Sequence, residues 1–408
     1  MSKRYAKDRT KERYGPKIEK VNISEKYFWP RVIAAGVLLV IGGITLGYSC
    51  SKFFGADSGW QEISTDSSEE INYGSEFTLY YNIGASGVRA GVESRELTAL
   101  YTQAQIDAYA YFNSDQESGE YANIYDINQS PNTVLTVSDA LYQAFETMEA
   151  YDARWMYLGP IYASYSNLFS SEDDVIAEDY DPYQNTELET YYAQIAAYAA
   201  DESQISIELL GDNQVRLNVS DEYMSFITAN GIDQLIEFDY MRNAFVSDYV
   251  AGVLADAGYT NGCLTSYDGY INYLDDGEYS YSYTIYDRDG TSIQNIAEGS
   301  IAGMKSAVVF KDFAVADLEN YRYYIYSDGT ARTSYISIED GKDYAATPYL
   351  YAASDCKSCA EVLLQMLPVY VQNEFDADAA FALESEGIYA LYTKDQKAQT
   401  NLPNNEYN

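Results

Sequence analysis

The sequence predicts an α+β fold, a mainly antiparallel sheet with packed helices, preceded by one N-terminal transmembrane helix. Three observations carry this prediction. Nineteen uncharged residues, 32–50, divide a basic head from a very acidic body. Within the body, runs that alternate apolar and polar residues are joined by Asp-Gly or Asp-Asn turns, the pattern of hairpins. Between them lie stretches with apolar residues at helical spacing. The succession of these elements describes one α+β domain.

The head, residues 1–31, holds ten Lys/Arg and four Asp/Glu, a balance of +6, whereas residues 51–408 hold 15 Lys/Arg and 59 Asp/Glu, a balance of −44. As a helix the uncharged run would be about 28 Å long, close to the hydrocarbon thickness of a bilayer. Lys/Arg beside a spanning segment stay cytoplasmic, so residues 1–31 form a basic cytoplasmic tail and 32–50 a signal-anchor in the lipid bilayer. The C-terminal domain is then extracellular, on a single-pass membrane protein of the cell surface. Trp29 and Tyr48 mark the two interfaces. A buried core helix, a cleaved secretory signal and lipidation of Cys50 are the competing readings. The run lies too near the terminus and is too purely apolar for the first. A cleaved signal has a shorter apolar core, and the bulky Tyr48 sits where a lipoprotein carries a small residue. Residues 51–75 read as a linker.

Folded chain is expected over 76–390. It opens with a strand at 76–81 and a helix at 93–112, with Leu97, Leu100, Tyr101, Ile106 and Tyr109 on one side. Ser138 caps the next helix, which carries Leu141, Phe145 and Met148. A third helix spans 186–200. Ile205, Ile207 and Leu209 alternate, Gly211-Asp212-Asn213 turns, and Val215, Leu217 and Val219 alternate again, which makes a hairpin. A helix with Val246, Val250, Val253 and Leu254 stops at Gly258. Residues 260–338 are mostly strand, with turns at Asp276-Gly277, Asp289-Gly290 and Asp328-Gly329. The last helix starts near Cys356, carries Ala360, Leu363, Leu364 and Leu367, and bends or ends at Pro368. Residues 391–408 are expected to be a disordered tail, and no internal repeat is evident.

Composition removes whole classes of chemistry. A body at −44 excludes nucleic acid and anionic lipid surfaces as partners, because both need basic surface. The chain has no His, so Ser-His-Asp and Cys-His nucleophile pairs and imidazole metal ligands are absent. Cys356-Lys357-Ser358-Cys359 is a C-x-x-C, open to reading as a redox dithiol, half a zinc site, a small disulfide or inert thiols. If the last helix begins at Cys356, the two thiols share its first turn and a local Cys356–Cys359 bridge is expected, with free thiols as the alternative. Glu172-Asp173-Asp174 with Glu178, Asp179 and Asp181 reads as a solvated acidic loop, since its spacing does not match a calcium loop. Asp287-Arg288-Asp289-Gly290 is a turn that lacks the third acidic ligand of such a loop. The Tyr279–Tyr283 rings fall on one strand face, as packed core or as a surface for sugars or peptides.

Three stretches resemble the ApbE-type FAD:protein FMN transferase family, in an order covering about residues 76–375. The first is Asn123-Ile124-Tyr125-Asp126-Ile127-Asn128 with Leu135-Thr136-Val137-Ser138, which looks like the family's Asn-containing loop leading to a helix. The second, Leu158-Gly159-Pro160-Ile161, resembles its Gly-Pro-Leu element. The third, Asn243-Ala244-Phe245-Val246-Ser247-Asp248 followed by Tyr267-Asp268-Gly269, resembles its Lys-Gly-x-x-x-Asp helix and Gly-Gly-(Asn/Asp) turn. The resemblance implies FAD or FMN with Mg2+ as cofactors, and Asn243, Asp248, Asp268 and Gly269 as the cofactor-binding positions.

The departures point to a degenerate member. The Lys-Gly pair becomes Asn243-Ala244, or Arg242-Asn243 with a one-residue shift, and a flavin pyrophosphate needs positive charge and close backbone approach. The family's His falls at about Tyr335, ahead of Asp340-Gly341. Its late Asp-x-x-x-Thr metal ligands fall at about Cys359 and Leu363, neither a hard oxygen donor, so no metal site is expected. The expectation is therefore a non-catalytic surface binding or scaffold module, with catalytic residues unassigned. Its partner, an envelope protein or a cell-wall component, is left open. The alternatives are a magnesium-dependent flavin transferase that flavinylates envelope proteins, and a Tyr-lined solute or glycan binder.

Overall fold

A computed structural model describes residues 58–66, 70–117, 119–403 and 406–407. The basic head and the apolar run 32–50 lie outside the described residues. Among the described residues, no helix is long and apolar enough to cross a membrane.

The described chain begins with β1 (Gly59–Ile63), β2 (Phe77–Ile83), α1 (Ala90–Phe112), the short α2 (Ile124–Gln129) and β3 (Val134–Thr136). A helical stretch follows: α3 (Asp139–Ala150), α4 (Gly159–Phe169), α5 (Asp174–Tyr180) and α6 (Thr186–Ala200). Then come β4 (Ile205–Gly211), β5 (Gln214–Val219), α7 (Asp221–Asn230) and α8 (Arg242–Asp256). The next strands are β6 (Gly262–Ser266), β7 (Tyr270–Tyr273), β8 (Tyr281–Asp289), β9 (Ser292–Ile301), β10 (Ser306–Lys311), β11 (Tyr323–Ile325), β12 (Ala331–Thr333) and β13 (Tyr349–Ser354). The chain closes with α9 (Cys359–Tyr370), α10 (Ala377–Ala382), β14 (Ile388–Lys394), β15 (Lys397–Thr400) and β16 (Glu406–Tyr407).

Eight strands form one antiparallel sheet in the order β1-β2-β6-β7-β10-β13-β14-β15. Successive side chains of a strand point to opposite faces, and this sheet is covered on both. Leu350 and Ala352 of β13 join the core shared with the helices, while Tyr349, Tyr351 and Ala353 join a second core beneath β8 and β9. Tyr283 of β8 stacks on Tyr351 with centroids 4.8 Å apart, and Tyr281 packs on Tyr273 at 4.8 Å. The Tyr281 and Tyr283 rings are half-buried and pack against the second core. Eight of the twelve largest fully buried side chains are Tyr, so much of the tyrosine content builds the interior.

Local chemistry sets the element ends. Ser138 accepts from the Leu141 N–H at 3.2 Å, and Leu141, Phe145 and Met148 are buried as their spacing predicts. Asp212 and Asn213 both take positive φ, 49° and 58°, in the two-residue turn between β4 and β5. In α1 the buried stripe is Leu97, Tyr101, Ala104, Ala108 and Phe112, so Ala residues replace the expected Leu100 and Ile106.

Four expectations are corrected. The supposed linker contains β1, which pairs with β2 from Gly59↔Ile83 to Ile63↔Leu79. The supposed tail holds β15, β16 and the end of β14; its Asp395-Gln396 turn has positive φ at both residues and no Gly to signal it. The acidic stretch near 172–181 is largely helix rather than loop, with Glu172, Asp173, Glu178 and Asp179 exposed as expected. Asp173 caps α5 through the Ile176 N–H, and Asp181 is fully buried against Arg332 and the Tyr326 hydroxyl. The last helix begins at Cys359 rather than Cys356, because Ser358 and Glu361 form a capping box.

Candidate functional site

The α8 N-terminus, the β6–β7 turn and the segment before β2 meet in a part-buried polar network. The buried Asn243 side chain donates to Glu76 Oε2 at 3.0 Å and to Asp268 Oδ2 at 3.1 Å. Each of these carboxylates also holds an arginine. Arg242 Nη2 lies 2.5 Å from Glu76 Oε2, and Arg322 Nη2 lies 3.0 Å from Asp268 Oδ2. The Arg242 guanidinium further covers the Tyr73 ring at 4.4 Å. The Tyr267 hydroxyl lies 3.2 Å from Glu76 Oε2 and 2.8 Å from the Tyr321 hydroxyl, which receives Arg322 Nε. Asp268 Oδ1 is buried without a hydrogen-bond partner. Burial pushes the neighbouring Asp239 carboxyl up, opposed first by the Arg322 guanidinium.

Gly269 belongs to the same turn for a packing reason. Its φ is +101°, and a β-carbon there would lie 2.8 Å from the Val309 carbonyl oxygen of β10. The Val309 N–H in turn donates to the Gly269 carbonyl at 2.9 Å.

Asp248 sits apart from these three, farther along α8, where the helix meets the start of α9. It accepts from the Cys359 and Ala360 N–H groups, both at 2.9 Å, and from Asn272 Nδ2 at 3.0 Å. The Cys359 and Ala360 N–H groups are orphan donors of a helix N-terminus, and a carboxylate is their natural partner. Burial raises the Asp248 carboxyl, opposed by the Ala360 N–H, Asn272 and the Cys359 N–H. Of the four expected cofactor positions, then, Asn243, Asp268 and Gly269 come together and Asp248 anchors another helix.

Among the described residues the cysteines do not bridge. Cys263, Cys356 and Cys359 are all free; Cys356 is exposed, Cys263 and Cys359 buried. With Cys356 outside the helix, the two thiols do not share a helical turn. Cys359 Sγ donates to the Ile271 carbonyl at 3.1 Å and also lies 3.7 Å from that of Ala307, and it receives Asn272 Nδ2 at 3.3 Å. Burial raises this thiol well above its usual range.

The donor set does not fit the implied Mg2+. Cys359 offers a buried thiol and Leu363 a buried hydrocarbon, which leaves Asp248 as the one side-chain carboxylate at that place. Magnesium requires several oxygen ligands in near-octahedral array. Among the described residues, no group of three or more Cys, Asp or Glu side chains is placed to hold a metal. Nor do the residues fit a flavin pyrophosphate, since Arg242 and Arg322 are already committed to carboxylates. Tyr335, at the expected His position, is packed against Tyr240, Phe310 and Tyr370. The principal cavities among the described residues avoid Asn243, Asp268 and Gly269. A small one of about 200 Å³ touches Asp248, and a larger one, about 800 Å³, lies among Asp287, Asp289, Glu374, Phe375, Tyr392 and Lys394.

Sequence reasoning missed Glu76 and Arg322 as parts of this network. Glu76 stood only as the start of a strand. Arg322 is brought to Asp268 by chain folding over 54 positions, which no local string encodes.

No protein-family model matches the chain, and no curated protein matches its sequence. Solved structures do share its fold. An ApbE protein from Thermotoga maritima is 11% identical, with a TM-score of 0.55 over 84% of this chain and 96% of that one. The flavin transferase ApbE from Vibrio cholerae is 14% identical, with a TM-score of 0.53 over 85% and 97% of the two chains. At such identities the likeness establishes the fold, the one the three sequence stretches resemble.

Proposed function

From an ApbE-type fold retained at 11% and 14% identity, we propose a membrane-anchored, extracytoplasmic binding or scaffold module that does not transfer flavin. One observation carries this reading: the positive charges nearest the expected cofactor positions are neutralised from within, Arg242 by Glu76 and Arg322 by Asp268. Phosphoryl transfer depends on positioning and charge neutralisation; both of these guanidinium groups are committed to carboxylates, and among the described residues no group of three or more Cys, Asp or Glu side chains is placed to hold a cation. The cleft of about 800 Å³ near Tyr392 has the size of a ligand site and supports a binding role away from Asn243 and Asp268.

Incubation of the purified protein with FAD, Mg2+ and a flavin-acceptor protein tests the reading. No covalent FMN on the acceptor is expected; FMN transfer that is lost on substitution of Asp248 or Asp268 would sink it. The proposed topology is tested separately. Protease added to intact cells should digest the acidic body and spare the basic head, and protection of the body would refute the external placement.

A further inference from the structure

The junction of α8, β7, β10 and α9 holds one ionisable carboxylate, Asp248, and one thiol, Cys359, pressed among main-chain groups. The Asp248 oxygens already take the N–H groups of Cys359 and Ala360 at the positive end of α9. Beside it, the Ile271 and Ala307 carbonyls and the Asn272 amide converge on the Cys359 sulfur, which is wholly buried. These two carbonyls face each other in the β7–β10 ladder, and the second lone pair of each can take a further donor or a cation.

We propose that the Cys359 S–H replaces the divalent cation that the fold implies, its hydrogen held between the Ile271 and Ala307 carbonyl oxygens, so that this domain is independent of metal. A neutral thiol adds no charge next to Asp248, whereas an aspartate in its place would set two carboxylates and two carbonyls around one point and require a cation. This deepens the non-catalytic reading and rests on it for the position of the implied cation. A cation response would overturn the inference alone; covalent flavin transfer is what overturns the reading.

The test is thermal unfolding of the full chain in detergent, with EDTA or with rising magnesium chloride, for the native protein and for Cys359→Asp. The native midpoint should be the same in both conditions. The Cys359→Asp midpoint should fall in EDTA and climb with each tenfold rise in magnesium, as for any ion that binds only the folded state. Adding Asp248→Asn to that variant should remove the climb. A saturable magnesium response of the native protein, lost on Asp248→Asn, would overturn the proposal. So would a Cys359→Asp protein that magnesium fails to stabilise or to bring to a folded state.

Discussion

Asp343 is the buried carboxylate with the clearest consequence for pH. Burial raises it to about 6, against the pull of the Arg332 guanidinium, the Thr333 N–H and the Tyr165 hydroxyl. The folded chain thus binds this proton more tightly than the unfolded chain does. The ionised group therefore opposes folding above about pH 6, and the penalty disappears below about pH 4. Its full size is roughly 3 kcal/mol. We predict that Asp343→Asn, compared with the native protein by urea unfolding, gains relative stability as pH rises through that window and holds the gain above it. A difference that does not change with pH would refute the assignment. At Cys356 and Cys359 the expected contrast is reactivity. Cys356 is exposed, while Cys359 is fully buried with its thiol raised. Mass spectrometry after alkylation of the native, unreduced protein should find one alkyl group on the peptide containing both, and a second only after unfolding. No alkylation even after unfolding would restore the disulfide.

At the scale of elements, the join between α8 and α9 depends on Asp248. Removing its carboxylate leaves the Cys359 and Ala360 N–H groups without partners, which costs about 1–3 kcal/mol. Asp248→Ala should lower the urea midpoint accordingly while circular dichroism keeps the native helix content; an unchanged midpoint would show that water replaces the carboxylate without loss. Elements with a local signal were legible in the sequence. Ser138 gave its cap, Gly258 its stop, and Asp212-Asn213 its turn. β13 was not, because Tyr349–Ser354 is buried on both faces and shows no alternation. β14 and β15 were lost to a turn without Gly, and α5 to its acidic composition. The site was legible only in part. Asn243, Asp268 and Gly269 were found together, but their partners Glu76 and Arg322 arrive from distant segments. Asp248 shares a helix with Asn243 and still serves a different junction.

The whole molecule combines a sheet buried on both faces with a body charge of −44 across residues 51–408. That charge favours solubility and opposes the approach of anionic ligands, FAD among them. The positive groups that would offset it near Asn243 are bound internally, so the fold of a flavin transferase is retained without a visible seat for flavin. The central claim is that this seat is closed. Equilibrium dialysis of the purified protein against FAD, with and without Mg2+, tests it most directly. The account predicts no saturable binding in either condition. Saturable binding that requires Mg2+ and is weakened by Arg322→Ala or Asp268→Asn would contradict it.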